Sequence, residues 1–335
     1  MKIIVIFIIA LCYHFACSNE RDLNKIEGEI KQDKLRSQDF TKDPTKFFAH
    51  RGLLNFAPEN TLLAFEIAKE RGFKNIELDI VTTKDNKIVV SHDFNLKRMF
   101  KINRDVCKVN YDELLELKPS QYFFEAVLGL PEEKIIAIRS TDGPWIKRLD
   151  SQQISLLDDV FKTFGKDFNY HLDIKIIGCE QELIQELVSV IEKYDLENNV
   201  FIESTRLKLL EKIISTNPKI KTIYWNEKIF SLSDEEWQDL VEKGIDSVDL
   251  RYSNINKKEV LRIKSQIKNI RIHTYTVNSL KVINSLDNFV DYIITDLDIF
   301  GNNVDKYRFF NQKSQKIKLS SPLYQKFKSI LSYFK

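Results

Sequence analysis

Two carboxylates one residue apart, Glu77 and Asp79, sit inside the apolar run Asn75-Ile76-Glu77-Leu78-Asp79-Ile80-Val81. Read as a strand, the run puts i and i+2 side chains on one face. The two acids are then aimed side by side into an interior. Neighbouring buried carboxylates are costly unless something neutralises them, and a divalent cation is the natural partner. A second alternating pair, Asp173 and Lys175, occurs in the stretch Tyr170-His171-Leu172-Asp173-Ile174-Lys175. Three carboxylates suit a hard ion, Ca²⁺ or Mg²⁺, better than zinc. His50 upstream and His92 downstream can serve as general acid and base. Arg51 and Lys175 supply positive charge for an anionic group, one as a fork and one as a point charge. A cation site, two histidines and two basic side chains together suit displacement at phosphorus. His171 and His273 are expected to be hydrogen-bonded structural histidines. Arg51 could instead merely pair with Glu59 and Lys175 with Asp173, pairings compatible with a free site.

These residues need elements to hold them. Residues 47–49 are a short apolar run ended by His50-Arg51-Gly52. Pro58-Glu59-Asn60-Thr61 then opens an amphipathic helix carrying Leu62, Leu63, Phe65, Ile67 and Ala68, with Asn60 or Thr61 as N-cap and Gly72 as a left-handed C-cap. The strand over 75–81 is followed by a turn at 83–87 and a strand over 88–91 that ends at His92-Asp93. So short a connection cannot hold a crossover helix, so the pair is expected to be an antiparallel hairpin. Residues 94–150 are less regular: a short helix is expected over 111–117, irregular chain over 135–145, and a helix over 154–164. Beyond them strands are expected at 170–176, 200–203, 221–225, 247–250, 271–277 and 292–295, with helices between them, such as 181–194 and 234–243. Repeated β/α units over some 250 residues predict a closed (β/α)8 TIM barrel, the ninth strand being the hairpin partner. No glycine-rich nucleotide loop follows any strand, which disfavours an open doubly wound sheet. In a barrel, chemistry gathers at the C-terminal strand ends, where all the residues above fall.

The chain of 335 residues is 43% hydrophobic and 30% charged, a globular composition. Its net charge of +2 predicts no nucleic-acid partner. Met1-Lys2 followed by apolar residues 3–11 reads as a secretion signal too short to favour a spanning helix. Phe15-Ala16-Cys17-Ser18 resembles a bacterial lipobox in which Cys17 is lipidated, with His14 and Phe15 departing from the usual pattern. Ordinary cleavage or an uncleaved anchor are the alternatives. The expected organisation is a signal peptide and lipobox over 1–17, a polar tether over 18–45, the catalytic barrel over 46–303, and a basic amphipathic tail over 304–335. The expected location is the bacterial cell envelope, periplasmic or surface-facing, on a membrane anchor at Cys17. In the tail, Leu323, Phe327, Ile330, Leu331 and Phe334 share a helical face, which can pack on the domain itself, the commoner outcome, or lie on an anionic membrane. Cys107 and Cys179 have no metal-ligand spacing and can remain free thiols.

The ordered set His50-Arg51-Gly52, Pro58-Glu59-Asn60-Thr61, Glu77-x-Asp79 and His92-Asp93 resembles the glycerophosphodiester phosphodiesterase family of the phosphatidylinositol-phospholipase-C-like TIM-barrel superfamily. Later pieces follow the family's order. Ile154-Ser155-Leu156-Leu157-Asp158-Asp159-Val160 resembles its IPxLEEV helix, and Leu172-Asp173-Ile174-Lys175 its LEIK strand. Tyr275-Thr276-Val277-Asn278 resembles WTVN, and Ile294-Thr295-Asp296 its final ITD. The match runs from about residue 46 to 300.

The resemblance implies a metal-dependent hydrolase that turns glycerophosphodiesters into sn-glycerol 3-phosphate and an alcohol. It makes Glu77, Asp79 and Asp173 ligands of one divalent cation, His50 and His92 the acid/base pair, and Arg51 and Lys175 the phosphate holders. Attack comes from water or from the substrate's own 2-hydroxyl through a cyclic phosphate. Three departures stand out. Asp173 replaces the family's usual Glu, as in sphingomyelinase D-like relatives. Tyr275 replaces Trp, and Leu297-Asp298 replaces a proline-containing end. A lysophospholipase D or sphingomyelinase D-like lipid phosphodiesterase is the alternative enzyme. A catalytically weak glycerophosphodiester-binding protein is the alternative of another class, disfavoured because every polar role is filled.

Overall fold

Among the described residues nine short strands, in chain order β1 (Phe47–His50), β2 (Asn75–Thr82), β3 (Ile88–Val90), β4 (Asn169–Ile174), β5 (Val200–Ser204), β6 (Lys221–Trp225), β7 (Ser247–Arg251), β8 (Arg271–Tyr275) and β9 (Tyr292–Thr295), carry the architecture. The structure, a computed structural model, describes residues 43–140, 143–175, 183–267 and 269–300. β2 pairs in parallel with both β1 and β4, the parallel ladder continues through β5 to β9, and β9 returns to β1. Eight parallel strands therefore close a (β/α)8 barrel. β3 stands outside the ring, antiparallel to the end of β2 with Ile80 opposite Val90. This is the expected hairpin. Its function is positional, because reversal at 83–87 carries the chain back toward Asp79, whose carbonyl accepts the Ser91 N–H at 2.9 Å.

Register sets the site. Asp79 lies beside Asp173 and Asp173 beside Glu203 on successive strands, while Glu77 lies beside His171. Parallel neighbours in register point the same way, so the acids form a row across the mouth. Below the row the interior is filled by Phe48, Phe201, Ile223 and Ile294, with Tyr275 and Tyr292 packed against them. The rings of His171 and His273 join this layer, 5.3 Å apart. The barrel is thus plugged by side chains from beneath and open only above.

The helix α1 (Leu62–Glu70) begins at Thr61, whose hydroxyl accepts from the Ala64 N–H, and Gly72 follows its end at φ +95°. Gly52 is required for a different reason. It sits at φ +78°, and a Cβ there would lie 2.7 Å from the backbone of Ala64. The strand-to-helix turn can pack this closely only without a side chain.

The expectations for 94–164 need correcting. The helix expected over 111–117 spans only Tyr111–Leu114, and the chain expected to be irregular over 135–145 holds Glu132–Arg139 and part of Pro144–Asp150. Pro131 and Pro144 supply helix starts, and the Arg139 guanidinium joins the two through Asp150 at 3.0 Å. The helix expected from 154 starts at Leu157, because Ile154 is drawn into a satellite core with Val81, Val89, Leu96 and Leu114. The helix expected over 181–194 is described as Leu183–Lys193. Residues 1–17 with Cys17, most of the tether, Cys179 and the tail over 304–335 lie outside the described residues; Cys107 is a free thiol.

Candidate active site

All seven residues singled out in the barrel line one cavity of about 1000 Å³ at the C-terminal strand ends: His50, Arg51, Glu77, Asp79, His92, Asp173 and Lys175. Cys17 lies outside the described residues.

β1 delivers His50 and then turns sharply. Arg51 adopts a left-handed conformation at φ 52°, an unusual state for a residue other than glycine. In that state its backbone N–H reaches Glu77 Oε2 at 2.9 Å. Its side chain meets Glu59 at 3.0 Å, with Nε 3.3 Å from Asp79 Oδ2. Asn60 is likewise left-handed, and its amide clamps Asp79: Nδ2 donates to Oδ2 at 2.8 Å, and Oδ1 accepts the Asp79 N–H at 3.3 Å. Asn60 is therefore an orienting residue, and Thr61 alone is the helix cap.

Glu77, Asp79 and Asp173 place carboxylate oxygens within 4.8 Å of one another. Burial and the neighbouring Asp79 charge push Glu77 well above the usual carboxylate range, with Arg51 only partly opposing them. Burial also pushes on Asp79, but Arg51, Lys175 and His92 outweigh it and hold this acid low. Asp173 is pushed up to about 7 by burial and by Glu203, although Lys175 is ion-paired with it. Asp79 Oδ1 is buried with no hydrogen bond, Lys175 Nζ standing off at 3.4 Å. Three crowded acids with an orphaned oxygen among them are short of positive charge, and their all-oxygen donor set fits a hard divalent cation.

Each histidine is held by its own carboxylate. His50 Nδ1 lies 2.6 Å from Asp296, which is itself hydrogen-bonded by Asn278. His92 Nδ1 lies 2.7 Å from Asp93. With Nδ1 engaged in both, each ring keeps Nε2 for chemistry; that of His50 is 3.9 Å from Glu77. Arg98 links the two halves of the mouth, bonding Asp93 and reaching Glu59 at 3.1 Å while its guanidinium lies 4.8 Å from the centre of the Tyr122 ring.

Several contributors were not singled out from sequence. Asp93 and Asp296 stood inside quoted motifs without a role, and Asn60 was read only as a candidate helix cap. Glu203 and Asp249 line the cavity, but each is the single acid of its strand, without the i, i+2 pairing that exposed Glu77 and Asp79. His171 is hydrogen-bonded as expected, its Nε2 2.6 Å from Glu203. His273 departs from expectation: it is fully buried with neither ring nitrogen hydrogen-bonded, enclosed by Phe48, Phe201 and Tyr292.

A closed barrel whose mouth joins a cluster of three acids, two carboxylate-held histidines and two half-buried basic groups defines a TIM-barrel phosphodiesterase. Comparison with known proteins gives the particular family. The model of the glycerophosphoryl diester phosphodiesterase family matches residues 50–297, and the chain belongs to that family. It is 26% identical over 239 residues to a glycerophosphodiester phosphodiesterase of Bacillus subtilis (strain 168), covering 69% of this chain and 76% of that protein. It is also 28% identical over 172 residues to the human Lysophospholipase D GDPD3, covering 51% and 48% of the two chains. Two solved structures share the fold at TM-score 0.62 and 20% identity, each over 76% of this chain. One is a putative glycerophosphoryl diester phosphodiesterase from Silicibacter pomeroyi, 92% covered. The other is an Oleispira antarctica phosphodiesterase in complex with the product sn-glycerol-3-phosphate, 94% covered.

Proposed function

We propose that this protein hydrolyses glycerophosphodiesters to sn-glycerol 3-phosphate and an alcohol, using one divalent cation, Ca²⁺ or Mg²⁺. The observation that carries the reading is the pair of histidines, each fixed through Nδ1 by a carboxylate, facing one cavity with the three-acid cluster. Glu77, Asp79 and Asp173 would hold the cation, which supplies charge to offset that developing on the phosphoryl oxygens. Arg51 and Lys175 bind the phosphate. One histidine takes the proton of the attacking oxygen, from water or the substrate's 2-hydroxyl. As the phosphorus–oxygen bond to the alcohol breaks, the other gives a proton to the departing oxygen. Hydrolysis of glycerophosphocholine with and without EDTA, beside His50→Ala, tests the reading. Loss of activity on both treatments is expected, and activity indifferent to both would overturn it.

A lysophospholipase D activity is the second reading. It is supported by the human relative and by Phe94, 44% exposed where it lines the cavity, which offers an acyl chain an apolar contact. Export on a lipidated Cys17 belongs to the same proposal. Metabolic labelling with palmitate is expected to mark the full chain, and Cys17→Ser is expected to release it from the membrane fraction; a membrane-bound, unlabelled Cys17→Ser protein would overturn it.

A further inference from the structure

The hydrogen bonds at the rim of the mouth meet in a side chain that no sequence motif singled out. Arg98 lies on the short helix Lys97–Phe100, which follows β3 and is anchored by the buried Leu96 and Met99. Its Nε donates to Asp93 Oδ2, while Nη1 and Nη2 donate to the two oxygens of Glu59, Nη1 at 3.1 Å. The guanidinium also lies 4.8 Å from the centre of the Tyr122 ring. Every nitrogen of the fork already has a carboxylate partner. Arg98 therefore lines the cavity without being placed to hold a phosphate itself.

The far side of each carboxylate holds a group of the proposed chemistry. Asp93 Oδ1 is 2.7 Å from His92 Nδ1, and Glu59 Oε1 accepts from Arg51 Nη1 at 3.0 Å. Arg51 also faces Asp79, its Nε 3.3 Å from Oδ2. Between these two acids a single guanidinium charge is outnumbered, and an approaching phosphate would meet net negative charge. Arg98 offsets the Glu59 charge and leaves Arg51 able to attract an anion. On its other branch Arg98 fixes Asp93 Oδ2, so that Oδ1 keeps one aim, the His92 ring. A planar fork meets two carboxylates at once, which a single ammonium cannot do. We propose that Arg98 is a positioning residue for the reaction, holding His92 through Asp93 and freeing the Arg51 charge through Glu59, without contacting the substrate. This inference rests on the phosphodiesterase reading above.

The test is steady-state kinetics on glycerophosphocholine, with the full chain and its activating cation, at a temperature where circular dichroism shows every variant folded. Arg98→Met is expected to lower kcat and to raise KM, each by about tenfold. The two effects should separate by partner. Adding Glu59→Gln to Arg98→Met removes the uncompensated charge, so KM should recover while kcat stays low. Adding Asp93→Asn should lower kcat by much less than it does in the wild type, because both changes break the same branch. Arg98→Lys should restore one constant and not both. A purely structural role moves neither split. Both constants of Arg98→Met staying within about twofold of wild type, Glu59→Gln deepening the KM defect, or Arg98→Lys restoring both constants overturns the inference. Failure of the wild type to cleave any diester instead overturns the function reading. The hold on His92 is then read from nitrogen-15 spectra of the ring, assigned by their loss in His92→Gln. A proton fixed on Nδ1 in the wild type and shared between the two nitrogens in Arg98→Met supports the inference; identical spectra overturn it.

Discussion

At the scale of single residues, the site is a set of acids and bases each held by a specific partner. His50 and His92 have different carboxylate partners, so neither ring can rotate away from the cavity without losing a hydrogen bond. Replacing either by alanine is expected to lower kcat by about 10²- to 10⁴-fold, measured in steady-state assays. Asp173 has the finer role. Its side chain is one methylene shorter than glutamate, and Glu203 stands beside it in register. Asp173→Glu is expected to shift cation affinity measurably in calorimetric titration, because carboxylate reach sets the coordination distance. Unchanged affinity for both Ca²⁺ and Mg²⁺ would show that Asp173 does not contact the ion. His273 makes a prediction outside catalysis. Burial, with His171 and Arg271 nearby, holds it well below its ordinary value of 6.5, so the folded chain keeps it neutral. The unfolded chain protonates this histidine below about 6.5 and the folded chain does not, so the His273 contribution to stability is full above that pH and is lost as pH falls below it. The slope approaches about 1.4 kcal/mol per pH unit. Urea denaturation from pH 7.5 to 5.5 checks this, and His273→Phe should flatten the dependence.

At the scale of elements, the turn between β1 and α1 brings Arg51 and the Asp79 clamp, Asn60, to the same place. Arg51 and Asn60 are both left-handed, and the Asn60 N–H bonds the Arg51 carbonyl at 3.0 Å, so one turn braces the other. Gly52 allows α1 to approach. Gly52→Ala is expected to cost about 2 kcal/mol or more, since it combines an unfavourable φ with a contact to the Ala64 backbone that cannot relax cheaply. A urea midpoint equal to that of the wild type would sink that expectation. The hairpin of β2 and β3 has the other essential geometry. A crossover helix after β2 would send the chain away from the mouth; an immediate reversal returns His92 to the acids.

At the scale of the whole molecule, the barrel is closed below as well as lined above. The segment after β9, which departs from the proline-containing family pattern, is anchored in another way. Asp298 forms a buried ion pair with Arg71 at 2.9 Å, and Phe300 packs on Phe73 with ring centres 4.8 Å apart. Removing one member leaves a buried charge alone, so Arg71→Ala is expected to destabilise the fold by about 3–5 kcal/mol in chemical denaturation. The double change Arg71→Met with Asp298→Leu should recover much of that loss.

How much of this was legible in sequence follows from what is local. Alternation of acid and apolar residues in 75–81 and the spacing of β/α units depend on near neighbours, and they sufficed for the barrel, the hairpin and all seven cavity residues. Motif order along the chain sufficed for the family. Pairings across the ring were not legible. That Asp296 holds His50 from 246 positions away, or that Glu203 stands beside Asp173, depends on barrel closure and strand register. The helices after 130 were missed because their burial is thin: among Glu132–Arg139 only Ile135 is buried, so no apolar stripe marks them. Sequence alone thus determined which acids, histidines and basic groups meet at the barrel mouth, since residue type and local period carry that information. Only the tertiary structure decided what holds each group, because that is set by register between distant strands.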